Sequence, residues 1–175
     1  VAANLIPAKA GLGESDLQPR YLGLRDYTFL RDAAKSSGIK VLLWEKGSGS
    51  EVAFYPNLNA VDETWKKLNR DVRFRRALSL AIDRDELSEV VYGGLAKPSA
   101  NTIMPRSVLF KPEYATKWAG YDVKMAAKLL DEAGLNKKGG DGIRLLPNGQ
   151  PAIFVVEHTS EKADEVDAMT LVVDQ

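Results

Sequence analysis

Apolar residues recur at helical spacing in the middle of the chain and in short strand-like runs on either side of it. Phe74, Ala77, Leu78, Ala81 and Ile82 fall at i, i+3, i+4, i+7 and i+8, one full apolar face of an amphipathic helix. Asp71 stands where a carboxylate favours the start of that helix. Asp83 ends it and can cap the next, with Glu86 three residues on at capping-box spacing. Leu87, Val90 and Val91 make the short stripe of this second helix, which Gly93-Gly94 terminates. Asp122 caps a third helix whose Ala126, Leu129, Leu130 and Ala133 face a core, and Gly134 followed by Leu135 fits a Schellman stop.

The flanks are less regular. Residues 1–12 read as a helix interrupted by Pro7, and residues 11–16 as a turn. Asp26 can cap a helix running to Ser37, with Phe29, Leu30, Ala33 and Ala34 as its stripe and Gly38 as its stop. Residues 39–45 then read as a strand, Gly47-Ser48-Gly49-Ser50 as a turn, and residues 51–55 as a second strand halted by Pro56-Asn57. Residues 95–118 hold Pro98, Pro105 and Pro112 with no sustained period, so a loop is expected there. Residues 143–146 and 153–156 flank Pro147-Asn148-Gly149, a strong hairpin turn. Val166, Met169, Leu171, Val172 and Val173 begin a final helix that meets no Gly, Asn or Pro before Gln175. With a first residue other than Met, that open-ended pattern leads us to expect a piece of a longer protein.

Helices and hairpins without a regular βαβ array predict a mixed α/β (α+β) fold. The 175 residues suit one domain with a sizeable core. Its parts would be a helical lead-in (1–38), a strand pair (39–59), a helical region (69–135) and a hairpin with a helix (143–175).

Composition narrows the function classes. Twenty-four basic residues balance twenty-four acidic ones, so no net field draws nucleic acid or an anionic surface to the chain as a whole. The absence of cysteine removes disulfides and thiolate metal sites. No run approaches the roughly 18 apolar residues of a membrane span. No signal-peptide pattern opens the sequence, so any export signal would lie outside it.

Candidate chemistry is sparse. His158 is the only histidine, which rules out a His-rich metal site. It could serve a hydrolase with Ser160 and a distant Asp, although no Gly-x-Ser-x-Gly elbow accompanies it. Gly47-Ser48-Gly49-Ser50 and Gly11-Leu12-Gly13 lack the remainder of a phosphate-binding loop and read as turns. Arg73, Arg75 and Arg76 could touch phosphates, the least favoured reading, or form an ion-paired face with Asp71, Asp83 or Glu86. Asp83, Asp85 and Glu86 are explained by capping before acid–base work. Asp141 among glycines lacks the alternating ligands of a calcium loop. No cofactor motif stands out.

Trp44, Tyr55, Asn57, Asn59 and Trp65 gather around the end of the second strand, and aromatic faces with amides suit a neutral polar ligand such as a peptide or sugar. The competing expectation is core packing for Trp44 and Tyr55 and turn formation for the two asparagines.

Asp71-Val-Arg-Phe-Arg-Arg-Ala-Leu-Ser-Leu-Ala-Ile-Asp-Arg-Asp-Glu-Leu87 resembles the signature of family 5 extracytoplasmic solute-binding proteins, the dipeptide- and oligopeptide-binding components of ABC transporters. The resemblance extends in order through Phe54-Tyr-Pro-Asn-Leu-Asn59, Gly93-Gly-Leu-Ala-Lys-Pro98, Ile103-Met-Pro105, and Tyr121-Asp-Val-Lys-Met-Ala-Ala-Lys-Leu-Leu-Asp-Glu-Ala-Gly-Leu135. It covers roughly residues 14–175, with residues 141–151 similar to a subgroup hairpin. It implies a two-lobed receptor that closes on a peptide or oligosaccharide-like ligand, delivers it to ABC permease subunits in the membrane, and performs no chemistry. The chain would be most of the C-terminal lobe, its partner the missing N-terminal lobe of the same protein. The location implied is periplasmic or extracytoplasmic, membrane-associated in Gram-positive-type cells. The signature arginines and aspartates would be structural, and Tyr55, Asn57 and Asn59 would face the cleft between the lobes. The family accepts peptides, sugars, opines and metal complexes, so the resemblance does not name the ligand.

Overall fold

The computed structural model describes residues 2–44, 49–158 and 163–175. Among these residues are eight α-helices: α1 (Ile6–Gly11), α2 (Tyr27–Ser37), α3 (Glu63–Arg70), α4 (Val72–Leu80), α5 (Arg84–Tyr92), α6 (Pro112–Thr116), α7 (Val123–Glu132) and α8 (Ala163–Asp174). The core lies where α3, α4 and α7 meet, and α4 against α7 is the most extensive helix pairing.

Two apolar clusters share this pairing. Leu68, Phe74, Leu135 and Leu146 are buried together, with Trp65, Leu78 and Ala152 packed around them. Ala77 and Leu80 of α4 meet Ala126 and Leu129 of α7, with Trp118 alongside, and Leu130 touches both clusters. Small residues at 77 and 126 let the two helix backbones approach closely. Each fully buried large side chain contributes about 1.5–3 kcal/mol. The helix ends are fixed as their sequence demands. Asp71, Asp83 and Asp122 each accept backbone N–H bonds at the starts of α4, α5 and α7. After α7, Gly134 takes φ +98°, and Leu135 N donates to Leu130 O at 2.9 Å while Gly134 N donates to Asp131 O at 3.1 Å. This is the Schellman closure, and it drives Leu135 into the core.

Several expectations are corrected. Pro7 opens α1 rather than interrupting a longer helix, since its missing N–H costs nothing in the first turn. Asp26 does not cap α2; its carboxylate accepts Gly23 N at 2.8 Å and closes the preceding 3-10 turn, Leu24–Asp26. Glu86 does not complete a capping box. Asp83 N instead donates to Gln175 Oε1 at 2.9 Å, and Gln175 Nε2 reaches Glu86 Oε2 at 2.8 Å. The end of the chain thereby supplies the missing acceptor. Helices α3 and α6 were not anticipated. α3 is capped by Asp62, which accepts Trp65 N, and α6 is a single turn begun by Pro112.

The expected strands are the largest difference. Residues 39–44 and 51–55 form no ladder among the described residues, and residues 45–48 of the expected strand and turn lie outside them. Around residues 147–149 the turn forms, with Leu146 N donating to Gln150 O and Gly149 N to Leu146 O, both at 2.8 Å. Its pairing is confined to one isolated bridge, Leu145 with Pro151, and does not reach 153–156; a second isolated bridge, Lys138 with Arg144, spans the preceding turn. Arg144 pins the turn to α7 through Asp131, Leu135 O and Ala127 O.

Candidate ligand-binding site

The segment entering the core from the N-terminal side places Tyr55, Asn57 and Asn59 in one solvent-facing run. Tyr55 is 80% exposed, and its phenol oxygen accepts from Asn101 Nδ2 at 3.1 Å. Asn57 Oδ1 accepts Asn59 N at 3.0 Å, an Asx turn of the kind the sequence favours. The turn is bolted to the end of α3: Asn69 Nδ2 donates to Asn57 O, Arg70 Nε to Leu58 O, and Arg70 Nη2 to Asn59 Oδ1. Tyr55 and Trp44, at 68% exposure, are not core residues. Trp65 is the opposite case. It lies edge-on to Phe74 and Phe154, with ring centroids 6.5 and 6.2 Å away, so it belongs to the core and not to the polar run.

Asn101 is the residue that sequence reasoning missed. Its loop lies against residues 49–55 at two points. One is its bond to Tyr55; the other is Gly49, where a Cβ would fall 1.5 Å from Thr102 O, so only glycine fits. No local pattern announces a contact across that separation.

A groove of about 2210 Å³ opens between residues 39–44 and 49–56 on one side and helices α4, α5 and α8 on the other. Phe54 and Pro56 line it, whereas Tyr55, Asn57 and Asn59 do not. The volume exceeds the roughly 300–1,000 Å³ of a small-molecule pocket. Leu78, Ile82, Leu87, Ile153, Phe154 and Val172 make its walls apolar, as in a space between packed layers. Tyr92 lines it too, its hydroxyl pushed up to about 12 by burial and by the charges of Glu51, Asp164 and Glu165.

The other candidates are accounted for by local contacts. Arg73 pairs with Asp71, Nη2 to Oδ2 at 2.6 Å, and that hydrogen bond holds the Asp71 carboxyl below its ordinary value. Arg75 Nη1 donates to Asn69 O at 2.8 Å, and Arg76 stacks over the Trp118 ring at 4.5 Å. These contacts go to Asp71, a backbone carbonyl and an aromatic ring rather than to Asp83 or Glu86, so the expected ion-paired face is corrected to one pair, one backbone clamp and one cation–π contact. His158 is exposed on the groove side, and Ser160, its suggested partner, lies outside the described residues. Asp141 Oδ1 accepts Ile143 N at 3.0 Å within its own turn. Among the described residues no cluster of His, Cys, Asp or Glu could hold a metal ion, and no helix is long and apolar enough to cross a membrane.

Comparison with known proteins places this arrangement. Over 99% of its length the chain superposes on the oligopeptide-binding protein OppA, with a TM-score of 0.75 and 38% identity, and covers 28% of that chain. A Brucella ovis protein with the provisional name ABC transporter peptide-binding protein is 32% identical over 144 residues, 79% of this chain and 24% of the relative. A Deinococcus radiodurans protein, provisionally named an ABC transporter-binding protein, is 34% identical over 95 residues, 54% of this chain and 16% of the relative. The chain therefore spans a quarter or less of the length of these two curated relatives. The model of the bacterial extracellular solute-binding proteins, family 5 (Middle), matches residues 21–175, and the chain belongs to that family.

Proposed function

We propose that this chain is most of the C-terminal lobe of an extracytoplasmic solute-binding protein of an ABC importer. The parent protein binds a peptide or oligosaccharide-like ligand between two lobes, passes it to the membrane permease, and carries out no reaction on it. The observation that carries this reading is the likeness to OppA, at 38% identity over 99% of the chain. The apolar groove supports the two-lobed architecture. Residues 39–44, 51–55 and 153–156 form no helix or ladder among the described residues, and Leu42, Leu43, Ile153 and Val155 are largely exposed, as expected of strand-like runs whose sheet is completed by other segments of the parent. Tyr55 and Asn101 form the ligand-facing pair. Asn57 and Asn59 shape the turn behind them and offer amides to the cleft.

The test uses the full-length protein with a defined peptide. Ligand at a hundredfold excess over Kd raises native-state stability by about 2.7 kcal/mol, seen as a higher Tm. Tyr55→Ala weakens binding at least about tenfold, or ~1.4 kcal/mol, with the ligand-free Tm unchanged. Mass spectrometry recovers the peptide intact. Cleavage abolished by His158→Ala would replace this reading with a hydrolase.

A further inference from the structure

Between α5 and α7 the chain makes an excursion that closes on itself. Ala100 N donates to Ala115 O at 2.8 Å across its neck. Its tip is folded by its own backbone: Ser107 N donates to Met104 O at 2.9 Å, Phe110 N to Ser107 O at 3.0 Å, and Leu109 N to Ser107 Oγ at 3.2 Å. These bonds fold the tip locally, while Asn101 and Thr102 at the neck lean on residues 49–55. Yet the tip turns its apolar side chains outward. Val108 is 99% exposed and Leu109 71%, with Ile103 and Tyr114 beside them.

The charge on and around this excursion leans to one sign. From residue 90 to residue 121 Glu113 is the single acidic residue, against Lys97, Arg106, Lys111 and Lys117. In a chain whose net charge is zero, this is a local concentration of positive sign. Lys111 Nζ sits 5.9 Å from the centre of the Tyr114 ring, so cation and aromatic share one rim.

We propose that the tip, residues 103–111 with Tyr114, is a lipid-contact element: Val108 and Leu109 enter the headgroup boundary of an anionic bilayer, and Arg106, Lys111 and Lys117 lie against its phosphates. The shape favours a bilayer over other occupants. A convex tip offers no cavity for a small ligand. Two adjacent apolar side chains fall far short of the roughly 1,200 Å² that a stable protein interface buries. A bilayer needs only shallow apolar insertion and a cationic rim. Such a contact would hold the receptor close to the surface where its cargo is used. Asn101 of the ligand-facing pair sits at the neck of this excursion and outside residues 103–111, so peptide binding is read beside partitioning.

The experiment is co-sedimentation of the full-length protein with phosphatidylglycerol vesicles and with phosphatidylcholine vesicles. Binding is expected on the anionic vesicles and to weaken as salt is raised. Each cation near an anionic surface is worth about fivefold in partitioning, so Arg106→Gln with Lys111→Gln reduces it about 25-fold. Val108→Ser with Leu109→Ser lowers it on the same vesicles, with Tm and peptide binding unchanged. Equal binding to both vesicle types overturns the proposal, as does anionic preference untouched by either double variant. A lower Tm for the serine variant without a change in partitioning also overturns it, since the tip would then pack within the protein. Tip-dependent capture by detergent-solubilised permease, with no vesicle preference, would assign the surface to a protein partner instead.

Discussion

Arg70 holds Asn59 from the far end of a helix: Nη2 lies 2.9 Å from Asn59 Oδ1, while Nε of the same side chain lies 2.7 Å from Leu58 O. One guanidinium thus fixes both the backbone and a side chain of the turn that follows Tyr55. Removing it in Arg70→Ala is expected to cost about 1 kcal/mol, because the bonds are solvent-exposed. Urea unfolding of the full-length protein measures this. Peptide affinity should fall as well if the turn backs the ligand-facing pair, and Arg70→Lys should restore only part of it, since an ammonium lacks the two-armed geometry.

Asp71 gives stability a pH signature. The Arg73 hydrogen bond, reinforced by the cap to Arg73 N, lowers the folded-state pKa of its carboxyl. The contribution is therefore present above the unfolded-state value and lost as pH falls through the folded one. Asp71→Ala should cost about 1 kcal/mol at neutral pH, the ordinary worth of a helix cap. The gap between wild type and variant should close in acid. Asp71→Asn should keep much of the cap and lose the ion pair. Denaturation series at neutral and acid pH separate these outcomes.

The Tyr92 hydroxyl is pushed up to about 12, first of all by burial. A raised folded pKa means that its contribution is complete below the unfolded value and is lost as pH rises through the folded one. Absorbance titration of phenolate in alkali is expected to show one late step, absent in Tyr92→Phe. The variant should match wild type at neutral pH and lose less stability in strong alkali.

Arg84 ties the end of α4 to the entry of α7. Its Nη1 donates to Ser79 O at 2.7 Å and to Ile82 O and Ala119 O at 3.2 Å, and Nη2 reaches Ser79 Oγ at 2.9 Å. Burial lowers its pKa, which reflects a half-buried cation served by carbonyl dipoles. Arg84→Ala is expected to cost about 2–3 kcal/mol, the range for hydrogen bonds to a charged group. Arg84→Lys, able to reach fewer of these oxygens, should fall between. Trp118, whose carbonyl accepts Ser79 Oγ at 2.7 Å, provides a fluorescence report of the displaced segment.

The helical centre was legible because its signals are local. The caps at Asp71, Asp83 and Asp122 and the Gly134-Leu135 stop act within a few residues and stand as expected, and so does the first half of the stripe, Phe74 and Ala77; α4 ends at Leu80, which is buried in place of the expected Ala81 and Ile82. What stayed hidden is non-local. The strand-like runs at 39–44 and 153–156 carry the right side chains, but a ladder is a property of two strands and cannot be read from one. Helix α3 has few apolar residues and is defined by Asp62 at one end and its packing of Leu68. In the candidate site, Tyr55, Asn57 and Asn59 were visible as residue types. Asn101 and Arg70 were not, because their roles arise from contacts made across the fold. The capping box at Asp83 failed for the same reason, its place taken by Gln175 from the far end of the sequence.

The pairing of α4 with α7, closed off by the Arg144 turn, also bears on how this region acquires its structure. Leu68, Phe74, Leu135 and Leu146 meet using only the chain between α3 and residue 152. Closing that loop carries a modest entropic cost, and helices with short connections assemble quickly. The region thus contains a helical nucleus whose contacts need no segment beyond residue 152. An early helical anchor shortens the interval in which the exposed apolar runs at 39–44 and 153–156 can join a wrong partner.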